Sequence, residues 1–278
     1  MNKDNTRETA KQNELRVLKY LHKFSWLRTR DIAALVWMRS RSRKLSDFDL
    51  APLEVTASAM RMAQITLLRM RDQHLILWTK APDGSTIFGL AEAGVRMLAG
   101  HGIPAKSGKD AVRRVSLSFY HHRRIANEVA ILAMLQGFRI ATEAEISAGK
   151  WVGGNDGIFG KKPDVLIRDG KSAVWVEVER SRRNNKDHLK LLDFIQEVWP
   201  SGRSDSAKLP GGQVLQKLLF VSNEAFIERL AKDLKDAGWT DEQIFLRISV
   251  EKLLYVTEAK FLIRKSKLTH GTAVDTAC

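Results

Sequence analysis

Three carboxylates stand close together in one short part of the chain. Asp164 follows Pro163 in Lys161-Lys162-Pro163-Asp164-Val165-Leu166-Ile167-Arg168-Asp169-Gly170. Glu177 and Glu179 come near the end of Ala173-Val174-Trp175-Val176-Glu177-Val178-Glu179-Arg180-Ser181. The apolar runs on either side of Asp169-Gly170 read as two strands joined by a tight turn. A hairpin sets the start of its first strand beside the end of its second, so Asp164 and Glu177 are expected to meet. Glu177 and Glu179 are two residues apart and share one strand face. Oxygen ligands of this kind suit Mg²⁺ or Mn²⁺, ions that keep several waters. Such an ion lowers the pKa of a bound water and neutralises charge building on a phosphate. Lys162, Arg180 and Arg182 flank the carboxylates and are candidate DNA-phosphate contacts. The plainer alternative is a half-buried hairpin whose acids only face solvent.

A helix is expected upstream, from Ser118 to Gln136. Within it His121, Ile125, Glu128 and Leu132 recur at helical spacing on one stripe. Ile125 and Leu132 should face the core, which draws Glu128 inward. A carboxylate buried without a partner is costly. Either a metal ion, with Glu128 as third ligand, or an arginine relieves that cost, and from this helix alone the arginine is the simpler reading. His121 or His122 can move a proton or touch phosphate, or the two form a surface pair at the helix start. Downstream, a helix from Asn185 to Trp199 carries Lys186 and Lys190 near the same end of the hairpin.

Between helix and hairpin, residues 147–162 are rich in glycine. Five residues separate Gly154 from Gly160, and Lys161 is followed by Lys162, so the nucleotide-binding loop pattern is not met. A mobile loop beside a site is the expectation. The remaining elements of this half are a strand from Gly137, a flexible loop over 201–212, a strand at Leu218–Val221 and a helix at Glu224–Ala237. A strand is expected at Ile244–Ile248 and a basic tail over 260–278.

The first hundred residues follow a different pattern. After a polar tail (1–12, expected to be disordered), Leu15, Val17, Leu18, Leu21 and Phe24 mark a helix. A second helix covers Ile32–Met38, with Thr29 or Asp31 as its cap. A third runs over Thr56–Gln73, with Met60, Ala63, Leu67 and Met70 inward. The basic run Arg39, Arg41, Arg43 and Lys44 between them reads as a mobile, phosphate-contacting loop. Two apolar runs around Ala81-Pro82-Asp83-Gly84 read as a hairpin, followed by a helix at Ala91–Ala99. Residues 101–112, rich in breakers, read as a linker.

Lys and Arg number 46 against 32 Asp and Glu, a formal charge of +14. That excess attracts polyanions. No apolar stretch is long enough to span a bilayer, which favours nucleic acid over membrane as partner. The one cysteine, Cys278, excludes a disulfide framework within the chain. Met1 to Asn13 lacks an apolar signal segment, so a cytoplasmic protein is expected.

Three helices, a hairpin with Phe88-Gly89-Leu90-Ala91-Glu92-Ala93-Gly94, and a further helix resemble a winged helix-turn-helix domain. The resemblance implies a helix in the DNA major groove and a wing along the backbone. Arg61, Gln64, Thr66 and Arg69 are then the candidate contacts, although winged helices also dock proteins. The second half resembles the PD-(D/E)xK nuclease superfamily, through a helix glutamate, Pro163-Asp164 on one strand and Glu177-Val178-Glu179 on the next. Taken together from about Asn13 to Ile248, the chain resembles the replication-relaxation family, which includes MobC-type proteins of mobilisable plasmids. The resemblance implies metal-ligand roles for Asp164 and Glu177, with the Val178 carbonyl contributing. Glu179 stands where the superfamily motif has lysine, and glutamate cannot supply that positive charge. Glu179 then acts as a base, or Lys186 or Lys190 supplies the cation, or the domain binds DNA without cutting it, with Lys162 as a further phosphate contact.

The expected architecture is α/β, α+β overall. A winged helix-turn-helix domain (13–100) and a linker precede a restriction-endonuclease-like α/β domain (113–259) and the basic tail. The implied function is a DNA-binding, Mg²⁺- or Mn²⁺-dependent endonuclease, relaxase-like, that nicks plasmid or mobile-element DNA in mobilisation or replication. Its partners would be double-stranded DNA of an origin region and mobilisation or replication proteins. The alternative is a non-catalytic DNA-binding regulator with a degenerate nuclease fold. A purely protein-binding accessory factor is a third reading.

Overall fold

Helical periodicity governs the first third of the chain. In the computed structural model, which describes residues 3–113, 115–179, 185–200, 207–256 and 261–266, α1 spans Lys3–Phe24. Val17, Leu18, Leu21 and Phe24 are buried along one face of it. The helix starts inside the stretch expected to be a disordered tail. Glu, Lys, Gln and Arg there are good helix formers, and Gln12 reaches back to Glu8 across one turn. Ser25, at φ 65°, ends the helix in the left-handed conformation common after a last turn.

A short strand, β1 (Leu27–Arg28), leads into α2 (Thr29–Trp37). Asp31 contributes at its start by accepting from the Arg28 backbone N–H at 2.9 Å. The third helix, α3 (Ala57–Asp72), is capped by Thr56, whose hydroxyl accepts from the Ala59 N–H at 3.2 Å. β2 (Ile76–Lys80) and β3 (Thr86–Leu90) pair antiparallel, and β1 adds to β3 to give the order β1-β3-β2. Helix α4 (Glu92–Gly100) follows.

Two stretches expected to be loose are ordered. The basic run after α2 is anchored at its backbone, because Arg41 and Arg43 N–H groups donate to the carbonyls of Leu135 and Gln136 at 2.7 and 3.0 Å. These carbonyls end a helix and lack partners within it. The side chains of Arg39, Arg41, Arg43 and Lys44 stay exposed. The expected linker contains α5 (Lys109–Arg113), which packs on β2 and β3 and buries Val112. Gly89 permits this approach, since a Cβ there would lie 2.6 Å from a Val112 methyl.

The second half is built on α6 (Leu117–Leu135), β4 (Arg139–Ala141), α7 (Glu143–Ser147), β5 (Val165–Asp169), β6 (Ser172–Glu179) and α8 (Asn185–Val198). Then come β7 (Ala207–Leu209), β8 (Gln213–Ser222), α9 (Glu224–Asp236), α10 (Asp241–Arg247), β9 (Ile248–Val256) and β10 (Phe261–Ser266). The main sheet has the order β10-β9-β8-β6-β5-β4, with β7 on β8. β5 is antiparallel to both its neighbours, β4 and β6; β6, β8 and β9 run parallel. The tight turn at Asp169-Gly170 is present, with Gly170 at φ 56°.

Strand alternation divides the core. Val174, Val176 and Val178 join Ile125 and Val129 of α6 and the interior of the first unit in one continuous cluster. Trp175, Leu166 and Phe220 face the other way, against Phe194 of α8 and Phe226 of α9. The two expected domains therefore share one hydrophobic interior through α6.

Two expectations near the end are corrected. Residues 244–247 belong to helix α10, because Thr240 and Gln243 form a reciprocal cap that starts the helix before the aliphatic run. The strand begins only at Ile248. Within the expected basic tail, 261–266 pairs antiparallel with β9, and 267–278 lies outside the described residues. No helix among the described residues is long and apolar enough to cross a membrane.

Candidate functional site

Pro163 precedes the strand that carries the first carboxylate. Val165 pairs with Val176, so one step earlier Asp164 lies opposite Glu177. The Asp164 N–H donates to the Val176 carbonyl at 3.0 Å, and its Oδ2 accepts from the Val178 N–H at 2.7 Å. Glu177 is 6% exposed. Its Oε1 accepts from Trp175 Nε1 at 2.7 Å, with Lys161 Nζ 3.6 Å away. Glu179, two residues on, is partly exposed at the end of β6. The hairpin thus joins Asp164 and Glu177 at one end of the sheet, as their spacing implies.

His122 enters this end from α6. Its Nε2 lies 3.3 Å from Asp164 Oδ2. Burial works against the imidazolium, but the hydrogen bond and charge of Asp164, with Glu143 and Glu179, outweigh it and hold the pKa up at about 9. Arg123 beside it donates to Glu143 at 3.1 Å.

Lys161 is the residue that reading the sequence missed. It closes a two-residue turn with Ile158, whose N–H and carbonyl exchange hydrogen bonds with it at 2.9 and 3.0 Å. Phe159 at φ 49° and Gly160 at φ 70° are both left-handed, as a turn of this hand requires. A bulky residue at positive φ costs on the order of 1–3 kcal/mol and is sustained by its surroundings. Gly157, at φ 80°, lies so near that a Cβ would meet the Lys161 carbonyl oxygen. This end of the glycine-rich stretch is therefore a hydrogen-bonded turn that carries Lys161. Lys161 Nζ sits 5.6 Å from the centre of the Phe194 ring. The signal available was its place three residues before Asp164.

Glu128 goes elsewhere. It is 2% exposed and paired with Arg28 at 3.1 Å and Arg30 at 3.5 Å. Burial raises its pKa, and the two arginines oppose that rise. Tyr120, Arg124, Asn127 and Glu128 form one stripe of α6 that faces the first unit. Tyr120 Oη donates to Asp83 at 2.7 Å, Arg124 to the same oxygen at 3.0 Å, and Asn127 to the Trp26 carbonyl at 3.2 Å. Tyr120 also stacks on Trp26, and its pKa is pushed up to about 12, chiefly by burial. The Asp83 side chain is held against α6, while Pro82 and Gly84 of the turn are exposed.

The remaining candidates divide. Arg61 and Gln64 are exposed on α3, beside exposed Met62, Ile65 and Leu68. Arg69 is held by Glu14 at 2.5 Å, and Thr66 is buried, so neither is presented as a reader. Lys162 and Lys186 are exposed, Lys186 on the first turn of α8. Arg180 and Arg182 lie outside the described residues.

Among the described residues no group of three or more His, Cys, Asp or Glu side chains is arranged to hold a metal. Asp164 and Glu177 are the carboxylates that the hairpin brings to this end of the sheet. No protein-family model, curated protein or solved structure matches the chain.

Proposed function

We propose that the chain is a DNA-binding, metal-dependent endonuclease that nicks duplex DNA at the Asp164–Glu177 end of the main sheet. The observation that carries the reading is that Asp164, one residue before β5, is bonded to the strand segment that carries Glu177: its N–H donates to the Val176 carbonyl and its Oδ2 accepts from the Val178 N–H. The order of elements around them supports it: helix α6, the antiparallel strands β4, β5 and β6 with short helix α7 after the first, helix α8, and then β8 parallel to β6 with the short β7 before it, in keeping with the PD-(D/E)xK resemblance. Three helices and a hairpin-bearing sheet upstream support the winged-helix reading of the first unit, with Arg61 and Gln64 as exposed DNA contacts.

The donor set fits Mg²⁺ or Mn²⁺. Both are hard ions that take carboxylate oxygens and keep several waters, so two protein carboxylates suffice. Both contacts to Asp164 described above fall on Oδ2. Asp164, Glu177 and the Val178 carbonyl would hold the ion. When bound, it supplies Lewis acidity toward a phosphate oxygen and an acidified water. The chain itself fixes the ligands: Val178 N–H orients Asp164, and Trp175 Nε1 orients Glu177. The +14 charge draws the DNA backbone to the protein.

The biological setting follows from the replication-relaxation resemblance: processing of plasmid or mobile-element DNA in the cytoplasm, with mobilisation or replication proteins as partners. A second reading, a DNA-binding regulator without catalysis, is favoured by Glu179 in the lysine position and by a pair of ligands in place of three. Nicking of supercoiled DNA in Mg²⁺ or Mn²⁺ separates the two. The enzyme loses nicking in Asp164→Ala and Glu177→Ala, whereas the regulator binds duplex without metal and keeps that binding in Glu177→Ala.

A further inference from the structure

We propose that Lys161 is the catalytic cation of this site, donating from Nζ to a non-bridging oxygen of the phosphate under attack; the assignment rests on the nuclease reading above. The position that holds lysine in the superfamily motif is Glu179, which in its charged form only accepts hydrogen bonds. Lys186 is exposed on α8, and Lys162 is exposed on the strand approach. Lys161 differs from both. Its side chain is 18% exposed and its ammonium lies 3.6 Å from Glu177.

Three features prepare it for this role. First, 3.6 Å exceeds hydrogen-bond length, so attraction to Glu177 keeps the ammonium near without using up a donor. Second, Trp175 Nε1 holds the same Glu177 oxygen at 2.7 Å, so that carboxylate stays oriented when the ammonium turns to a phosphate. Third, the backbone that delivers Lys161 is a turn with Phe159 at φ 49°, buttressed by Gly157. Strain of this kind in a surface turn needs a compensating purpose, and placing one amine beside the carboxylate pair supplies it. The Phe194 ring lies 5.6 Å from Nζ and attracts the ammonium.

In the reaction, a water oxygen bonds to phosphorus and a water proton passes to solvent. The phosphorus–oxygen bond to one sugar breaks, and the departing oxygen takes up a proton to become a hydroxyl. Lys161 stays protonated throughout and stabilises the charge on the equatorial phosphate oxygens.

The test compares nicking of supercoiled plasmid in Mg²⁺ or Mn²⁺ by the full chain and by Lys161→Met, Lys161→Arg, Lys186→Gln and Asp164→Ala. Duplex binding is measured in parallel by fluorescence anisotropy, and folding by thermal melting. Lys161→Met keeps the aliphatic stem over Phe194; if it melts below the assay temperature, Lys161→Gln replaces it under the same criteria. The expected result is a loss of nicking of about 100-fold or more with duplex affinity unchanged, partial recovery in Lys161→Arg, and wild-type nicking by Lys186→Gln. Wild-type nicking by Lys161→Met, with Asp164→Ala inactive, overturns this assignment and leaves the nuclease reading standing. A fall in duplex binding that accounts for the whole loss overturns it too. An inert wild-type protein overturns the nuclease reading itself and the assignment with it.

Discussion

Arg28 donates to Glu128 across 3.1 Å, and the same guanidinium grips Asp31 at 2.8 Å. Both partners of the first pair are almost fully buried, one on β1 and one on α6. Glu128 therefore ties the first unit to the second and stands apart from the Asp164–Glu177 pair. Removing Glu128 takes one carboxylate out of this buried cluster, while Arg28 keeps its bonds to Asp31.

Glu128→Ala is expected to destabilise the fold by about 1–3 kcal/mol, the cost of removing a buried acceptor from charged donors that keep Asp31 in part. Urea denaturation measures it. Glu128→Gln, which keeps a hydrogen-bond acceptor for Arg28, should cost less and should bind Mg²⁺ or Mn²⁺ as wild type does. Weaker metal binding in Glu128→Gln with unchanged stability would return Glu128 to the ligand set.

The turn at Asp83 gives a pH dependence. Burial raises its pKa, but hydrogen bonds from Ser85, Tyr120 and Arg124 outweigh it and hold the carboxyl below its ordinary value near 3.8. A depressed carboxylate contributes stability that is present above its unfolded pKa and lost as pH falls through the folded one. The stability advantage of wild type over Asp83→Asn is therefore expected in full at neutral pH. It should shrink on acidification below about pH 4. Thermal melts of both proteins across pH 2–7 check it; a gap that widens on acidification contradicts the arrangement.

Gly157→Ala combines a left-handed backbone with a Cβ placed against the Lys161 carbonyl. A cost of about 1–3 kcal/mol is expected, read from denaturation midpoints. Nicking should fall by more than the loss of folded protein explains, because the turn that positions Lys161 shifts.

On α3, Arg61→Ala and Gln64→Ala should each weaken specific duplex binding by about 1–3 kcal/mol if they reach base edges. Arg69→Ala should lower stability, since Arg69 holds the buried Glu14. Titrations at several salt concentrations separate base from phosphate contacts. Duplex binding untouched by both Arg61→Ala and Gln64→Ala would mark the exposed Met62, Ile65 and Leu68 face as a protein-docking surface instead.

The hairpin of Asp164 and Glu177 was legible because strand alternation and an Asp-Gly turn are local signals. The helices α3 and α9 were legible for the same reason, each with a capping side chain and a clear apolar stripe. Glu128 was not decided by its stripe, since one helix face shows burial but not the partner. That partner, Arg28, lies 100 residues away. Lys161 was hidden because its position depends on positive backbone angles at Phe159 and Gly160, and a phenylalanine does not announce such a turn. Ile244–Arg247 looked like a strand by composition, but a capping pair at Thr240 and Gln243 overrode β propensity. The seam under α6 required long-range packing that no local pattern encodes.

The most direct test is the nicking of supercoiled plasmid by purified protein in Mg²⁺ or Mn²⁺, with Asp164→Ala and Glu177→Ala as controls. The expected result is metal-dependent conversion to open circles by wild type, abolished by chelation and reduced by about 100-fold or more in each variant. An intact plasmid with wild type, or nicking by Asp164→Ala and Glu177→Ala at the wild-type rate, would contradict the assignment of this carboxylate pair.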